Sequence, residues 1–140
     1  MDCKGKWIFG YSFYFEHGTS FMAELRSLLI GLRICRRTCL TPQQVELDSK
    51  VLVDLLIHRK QPPWHALYWW QELQELRHFF SPSIIHTYRE GNSLADCLAN
   101  EAIAQQHNQL FFAEADLPLS VRYERTTTLA SVLDLLVIDI

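Results

Sequence analysis

The chain lacks a long apolar run and lacks the features of a secretory signal. None of its 140 residues belongs to an uninterrupted apolar stretch of about 18 residues, the length that favours a transmembrane helix. The opening segment MDCKGKW has no apolar stretch behind a basic start, which a signal peptide requires. These absences predict an intracellular protein without a membrane span, and they leave the choice between nucleus and cytoplasm open.

An excess of positive charge is also missing. The chain has 13 Lys and Arg and 16 Asp and Glu, which give a formal net charge of −3. Domains that bind polyanions nonspecifically are usually basic. The four cysteines are scattered, and no CxxC or paired histidines complete a zinc site. We expect reduced cysteines, since Cys35, Cys39 and Cys97 lie in apolar patterns where a thiol acts as a small hydrophobe.

Strand and helix patterns alternate along most of the chain, which is long enough for one domain with a sizeable core. The predicted strands are Trp7–Phe15, Gln44–Leu47 and Ser83–Tyr88, and the predicted helices are Phe21–Cys39, Lys50–His58, His65–Phe80 and Asn92–Gln106. Ser20 is the predicted N-cap of the first helix. This order indicates an α/β layer protein with parallel strand pairs.

The composition changes near residue 110. We place one domain at residues 1–108 and treat 109–140 as a C-terminal tail, with one helix predicted at Leu129–Val137.

Three acidic residues occupy equivalent places in this pattern. Glu24 lies near the start of a helix, Asp48 at the end of a strand, and Asp96 about one turn into the last helix. Strand ends and helix starts meet along one edge of an open α/β sheet, so the three can converge. Converging carboxylates repel unless a cation lies among them, and oxygen ligands favour Mg²⁺ or Mn²⁺. Taken singly, Glu24 is better explained as a helix-start acid, Asp48 is also explained as a helix cap, and Asp96 as an exposed first-turn acid.

Basic and aromatic residues offer candidate nucleic-acid contacts. Arg26, Arg33 and Arg37 share one stripe of the first helix, which indicates either a phosphate-binding surface or a solvated helix face. The segment His58–Lys60 closes the next helix with further positive charge. A group of aromatic residues could stack on bases, although their helical spacing favours a place in the core. Its members are Trp64, Tyr68, Trp69 and Trp70.

Three segments resemble the conserved blocks of the ribonuclease H type 1 superfamily. They are MAELRSLLIGL, VELDSKVLVDLL and HTYREGNSLADCLA, and they are most similar to the plant ribonuclease H-like domains of retroelement-derived reverse transcriptase proteins. KGKWIFGYS is similar to the strand before the first block. The resemblance covers about residues 1–106, with the blocks in the same order and spacing.

The resemblance implies a fold, an activity and a set of site residues. It makes Glu24, Asp48 and Asp96 the catalytic, metal-binding carboxylates, and it matches Asn92 to a polar position of the last motif. It implies a mixed sheet of five strands flanked by helices. The implied activity is cleavage of the RNA strand of an RNA–DNA hybrid with two divalent metal ions, by a protein that we expect to be a monomer.

The sequence departs from the family pattern at two places. The leading family carboxylate lies in an Asp-Gly motif on a first strand that has no counterpart here, and Asp2 matches the turn after the second strand. The first strands are therefore predicted to be missing. The flexible family histidine also has no counterpart, because the loop Arg89–Asn92 is short and His86 falls on a predicted strand.

Three hypotheses follow from these patterns. The first is a ribonuclease H-like domain that binds Mg²⁺ but turns over little or no hybrid. The second is a noncatalytic nucleic-acid-binding or interaction module of retroelement origin that uses the arginine stripe. The third is an incomplete product of a longer gene, with exposed sheet edges.

Overall fold

The computed structural model describes residues 10–12, 19–86, 100, 104–106, 108–111 and 137–139. The strands are β1 (Gly10–Ser12), β2 (Gln44–Leu47), β3 (Ser83–His86), β4 (Gln109–Phe111) and β5 (Val137–Asp139). The helices are α1 (Ser20–Arg37), α2 (Lys50–Ile57) and α3 (Leu67–Phe80), and a 3₁₀ turn, Trp64–Ala66, precedes α3. The predicted α/β fold is confirmed.

The strands form two sheets in the part of the chain that is described. In the first, β2 lies between β3 and β5. It pairs parallel with β3, with Val45 opposite Ile84, and antiparallel with β5, with Val45 opposite Ile138. In the second, β1 pairs antiparallel with β4. The predicted parallel pairing is confirmed, whereas the described strands do not join into a single five-stranded sheet.

Helix starts are fixed by hydroxyl caps. Thr19 Oγ1 accepts a hydrogen bond from the Met22 amide at 3.3 Å, so Thr19 caps α1 and the prediction of Ser20 is wrong by one residue. Ser49 Oγ accepts a hydrogen bond from the Leu52 amide at 3.2 Å, so Ser49 caps α2.

The C-terminal segment also differs from its prediction. The helix predicted for Leu129–Val137 does not include Val137, which begins β5 and pairs with β2. The other residues of that range lie outside the described part, as does most of the predicted helix Asn92–Gln106, of which Asn100, Ala104 and Gln105 are helical.

Leucines from all three helices build the core. They pack with the inward-facing residues of β2, and each fully buried Leu contributes roughly 1.5–3 kcal/mol of transfer free energy. The fully buried side chains include Leu25, Leu28, Leu29, Leu32, Val45, Leu47, Leu52, Leu56 and Leu73. Those that belong to α1 and α3 are among the apolar positions whose spacing predicts these two helices, and Val45 and Leu47 belong to β2.

The aromatic group is divided between core and surface. Trp70 is 9% exposed and belongs to the core, as its spacing predicts. Trp64 is 83% exposed and Tyr68 is 75% exposed, so the core prediction is wrong for both. Trp69 is half-buried against the core.

Each of the three helices ends beside a residue with positive φ that is not glycine. The φ values are 57° at Cys39, 50° at Arg59 and 50° at Ser81. Glycine is the usual residue at such a position because it has no Cβ to clash. Cys39 is exposed there, so its predicted place in the apolar stripe of α1 is wrong. Among the described helices, none has the length and apolarity needed to cross a membrane.

Candidate active site

Asp48 occupies the corner between β2 and α2. It follows the last residue of β2, precedes the cap Ser49, and is half-buried. The backbone carbonyl oxygen of Asp48 lies 3.2 Å from His86 Nε2 at the end of β3. Because a carbonyl oxygen only accepts, Nε2 must carry the proton in this hydrogen bond. The contact joins the ends of two parallel strands and holds the Asp48 backbone at the carboxyl edge of the sheet.

Glu24 lies near the start of α1. It is the fifth residue of α1, just beyond the first turn, and it is half-buried. Since α1 leads into β2 through the short connection 38–43, the chain reverses direction before β2, which ends at the carboxyl edge with Asp48. The parallel partner β3 ends at this edge too. The described elements place Asp48 at this edge, and the approach of Glu24 to Asp48 stays a prediction.

The third predicted carboxylate, Asp96, lies outside the described residues, and so does Asn92. Within residues 19–86 and the short described segments, no three His, Cys, Asp or Glu side chains form a metal-binding group. The carboxylates of Glu24 and Asp48 are oxygen donors of the kind that Mg²⁺ prefers. The described residues by themselves show no metal site.

The arginine stripe of α1 faces α3. Arg33 Nε donates to Glu72 Oε1 at 2.5 Å, and Nη2 donates to Oε2, so the pair is bidentate. The side chains remain 42% and 34% exposed. The Arg26 guanidinium lies 5.1 Å from the centre of the Trp69 ring.

This pairing changes the acidity of both partners. The hydrogen bond to Glu72 raises the pKa of Arg33, and the hydrogen bond from Arg33 lowers the pKa of Glu72.

Arg36, next to the stripe, lies over the Phe79 ring at 5.6 Å. The contacts of Arg26, Arg33 and Arg36 are with Trp69, Glu72 and Phe79 in that order. Since residue numbers rise together along both helices, α1 and α3 run parallel, and these partly exposed side chains join them. Of the three predicted phosphate contacts, Arg37 is an exposed residue at the end of α1.

Exposed aromatic rings lie near the start of α3. Trp64 meets His65 edge to face at 5.7 Å, and Tyr68 meets Trp69 in the same way at 5.1 Å between ring centres. His65 is exposed, and the same holds for His58 and His78. The helical spacing gives no signal for this exposure, because Trp70 shares the pattern and is buried.

Comparison with known proteins identifies the origin of these blocks. The sequence profile of the family described as reverse transcriptase-like matches residues 1–102. An Arabidopsis thaliana protein provisionally named a ribonuclease H is 33% identical over 108 residues, which cover 74% of this chain and 17% of that protein. The chain thus spans about a sixth of the relative that it matches. No solved structure matches the chain.

Proposed function

The chain belongs to the reverse transcriptase-like family of ribonuclease H-like domains, and we propose that it binds RNA–DNA hybrids at the rim formed by Glu24 and Asp48. The half-buried position of Asp48 at the end of β2, with Glu24 half-buried near the start of α1, is the observation that supports the proposal. Asp96 completes the set in the third family-like block, and Asn92 in the same block contacts the nucleic acid.

Glu24, Asp48 and Asp96 hold Mg²⁺ or Mn²⁺ in this proposal. A bound pair of such ions would activate a water molecule and stabilise the leaving oxygen of a phosphodiester. The protein's own contribution is to hold the carboxylates in place. The hydrogen bond between His86 and the Asp48 carbonyl fixes the strand end, and the Ser49 cap fixes the start of α2 beside it.

Hydrolysis by these 140 residues is weak or absent. The leading aspartate of the family has no counterpart among them. Removing one carboxylate from a two-metal site lowers metal affinity and also removes charge that stabilises the transition state. The domain therefore retains hybrid binding as its main activity, as a monomer of retroelement origin.

The test compares two Asp→Asn variants with equal charge change. Mg²⁺ is titrated into the protein and amide chemical shifts are followed by NMR. We expect saturable shifts at residues 24 and 48 that Asp48→Asn removes. Asp54→Asn, a substitution of a half-buried acid on α2, should leave them unchanged. Equal loss in both variants, or shifts confined to another surface, would refute the metal site.

Cleavage is measured on a labelled RNA–DNA hybrid with the same proteins. Vigorous Mg²⁺-dependent cleavage that Asp48→Asn abolishes would show that the expected loss of turnover is wrong. Weak or undetectable cleavage together with hybrid binding is the expected result.

The noncatalytic alternative has its own signature. It requires hybrid binding without metal that falls steeply with salt and that depends on the arginine stripe. The Glu72 carboxylate accepts two hydrogen bonds from the Arg33 guanidinium. The variant Glu72→Gln would remove that ion pair and strengthen nucleic-acid binding, whereas Arg33→Ala would weaken it. Salt-independent binding, or no response to either variant, counts against this alternative.

A further inference from the structure

A basic cleft lies at the opposite end of the sheet from the carboxylate rim. It has a volume of about 630 Å³ and opens between the segment after α2 and one face of α3. The helix α2 starts at the rim and is eight residues long, so its far end lies about 12 Å away. The cleft is therefore separate from the proposed metal site.

Positive side chains from two elements converge on this cleft. Arg59 and Lys60 come from the end of α2, and Arg77 and His78 come from the last turn of α3. The lining contains no Asp or Glu. Among the described residues, no carboxylate forms a salt bridge with Arg59, Lys60 or Arg77. The positive charge is thus left without an anionic partner from this part of the chain.

The simplest role of these residues is to neutralise the partial negative charge at the C-termini of α2 and α3. The hydrogen bonds of the structure account for only part of their positive charge. Arg77 Nη1 donates to the Leu56 carbonyl at 3.1 Å, which is a capping contact. The Lys60 amide donates to the Leu55 carbonyl at 3.1 Å. These bonds use one guanidinium nitrogen and one backbone amide. They do not account for the side-chain charges of Arg59 and Lys60, which remain exposed.

The two arginines also oppose each other. Burial lowers the pKa of Arg77, and the nearby charge of Arg59 lowers that pKa further. Two like charges held at close range cost free energy that a bound anion would recover. Arg59 is held there with φ of 50°, a conformation that costs a residue with a Cβ more than glycine. A glycine would end the helix as well, so the helix end alone does not require arginine.

The shape and remaining walls of the cleft limit its ligand. Its volume lies in the range of pockets for small organic molecules, roughly 300–1,000 Å³. Pro62, Pro82 and the edge of Trp70 supply apolar wall, and Gln74 supplies an amide. Arginine forks match phosphate oxygens. We propose that the cleft binds a small phosphate compound, such as a nucleotide, through Arg59, Lys60 and Arg77. This proposal is independent of the metal site.

The test uses the 140-residue protein without divalent metal. Pyrophosphate, 5′-AMP, adenosine and a short single-stranded oligonucleotide are each titrated and followed by amide chemical shifts. We expect saturable shifts for residues 59–62 and 74–82 with pyrophosphate and with 5′-AMP, and none with adenosine. Equal binding of adenosine, or binding of the oligonucleotide alone, overturns the proposal, as does the absence of binding by pyrophosphate and 5′-AMP.

A pair of charge-matched variants locates the site. Arg59→Gln with Lys60→Gln should weaken pyrophosphate binding at least tenfold. Arg36→Gln with Lys50→Gln removes the same charge from exposed positions outside the cleft and should change affinity less than twofold. Similar losses in both variants would show that net charge, and not the cleft, attracts the anion. Thermal melts of both variants confirm that they are folded.

Discussion

Arg33 of α1 and Glu72 of α3 lie 39 residues apart in the chain and join through two N–H···O bonds. The bidentate geometry matches the planar guanidinium to the carboxylate. On either side of the pair, Arg26 and Arg36 lie over aromatic rings of α3. These three arginine contacts lie on the outer surface of two parallel helices. They join α1 to α3, the helix that leads into β3.

The Arg33–Glu72 pair should contribute a modest coupling energy. Both side chains are partly exposed, at 42% and 34%, and exposed pairs typically contribute about 0.2–1 kcal/mol. We expect a double-mutant cycle of Arg33→Met and Glu72→Gln, measured by urea unfolding, to give a coupling free energy in that range. Arg37→Met combined with Glu72→Gln should be additive. A coupling near zero for Arg33 would mean that the pair does not form in solution.

The same pair predicts a dependence of stability on acid. The hydrogen bond from Arg33 holds the pKa of Glu72 below its ordinary value of 4.5. Its stabilising effect is therefore fully present above about pH 4.5 and is lost as the pH falls through the lowered folded value. The difference in unfolding free energy between the wild type and Glu72→Gln should shrink between pH 5 and pH 3. A constant difference over that window would contradict the lowered pKa.

The two described cysteines should differ sharply in reactivity. Burial raises the pKa of Cys35 to about 11, whereas Cys39 is exposed. At pH 8 little thiolate forms at Cys35, and reagents cannot reach it. In a background with Cys3→Ser and Cys97→Ser, we expect Ellman's reagent to label the Cys35→Ser variant rapidly and the Cys39→Ser variant only after unfolding. Rapid labelling of both would show that the core around α1 opens.

Replacing Cys39 by glycine should stabilise the fold. Cys39 has φ of 57° just after α1, where a Cβ costs about 1 kcal/mol relative to glycine. We expect Cys39→Gly to raise the unfolding free energy by about 0.5–1 kcal/mol in urea titrations. Cys39→Ala keeps the Cβ and should give no gain. A loss of stability in the glycine variant would mean that the larger conformational entropy of the unfolded chain outweighs the removal of the steric strain at residue 39.

Much of the architecture follows from local pattern. The bounds of β2 are predicted to the residue, and the leucine spacing of α1 predicts which of its residues are buried. Errors arise where two residues compete for one role. Thr19 and Ser20 both carry a hydroxyl suited to an N-cap, and only backbone geometry selects Thr19. Trp64, Tyr68 and Trp70 share one aromatic pattern, and only packing against the sheet separates the buried ring from the exposed ones.

The candidate site divides in the same way. Glu24 and Asp48 can be selected from the sequence because the family-like blocks mark both, and their role as metal ligands stays a prediction. The sequence predicts only part of the basic cleft. It places Arg59 and Lys60 at the end of one helix, but it does not show that Arg77 and His78 of another helix lie beside them. Asp96 lies outside the described residues, so its place at the rim stays a prediction.

The amino-acid sequence by itself determined the order of strands and helices from β1 to β3, the leucine core and the family, because hydrophobic period, turn residues and motif spacing are local properties of the chain. Only the tertiary structure decided what the arginines of α1 contact, which aromatic rings face solvent, and that the C-terminal strand β5 pairs with β2. These outcomes depend on which surfaces meet across long sequence separations, where the free energies of competing contacts differ by too little for a local pattern to predict.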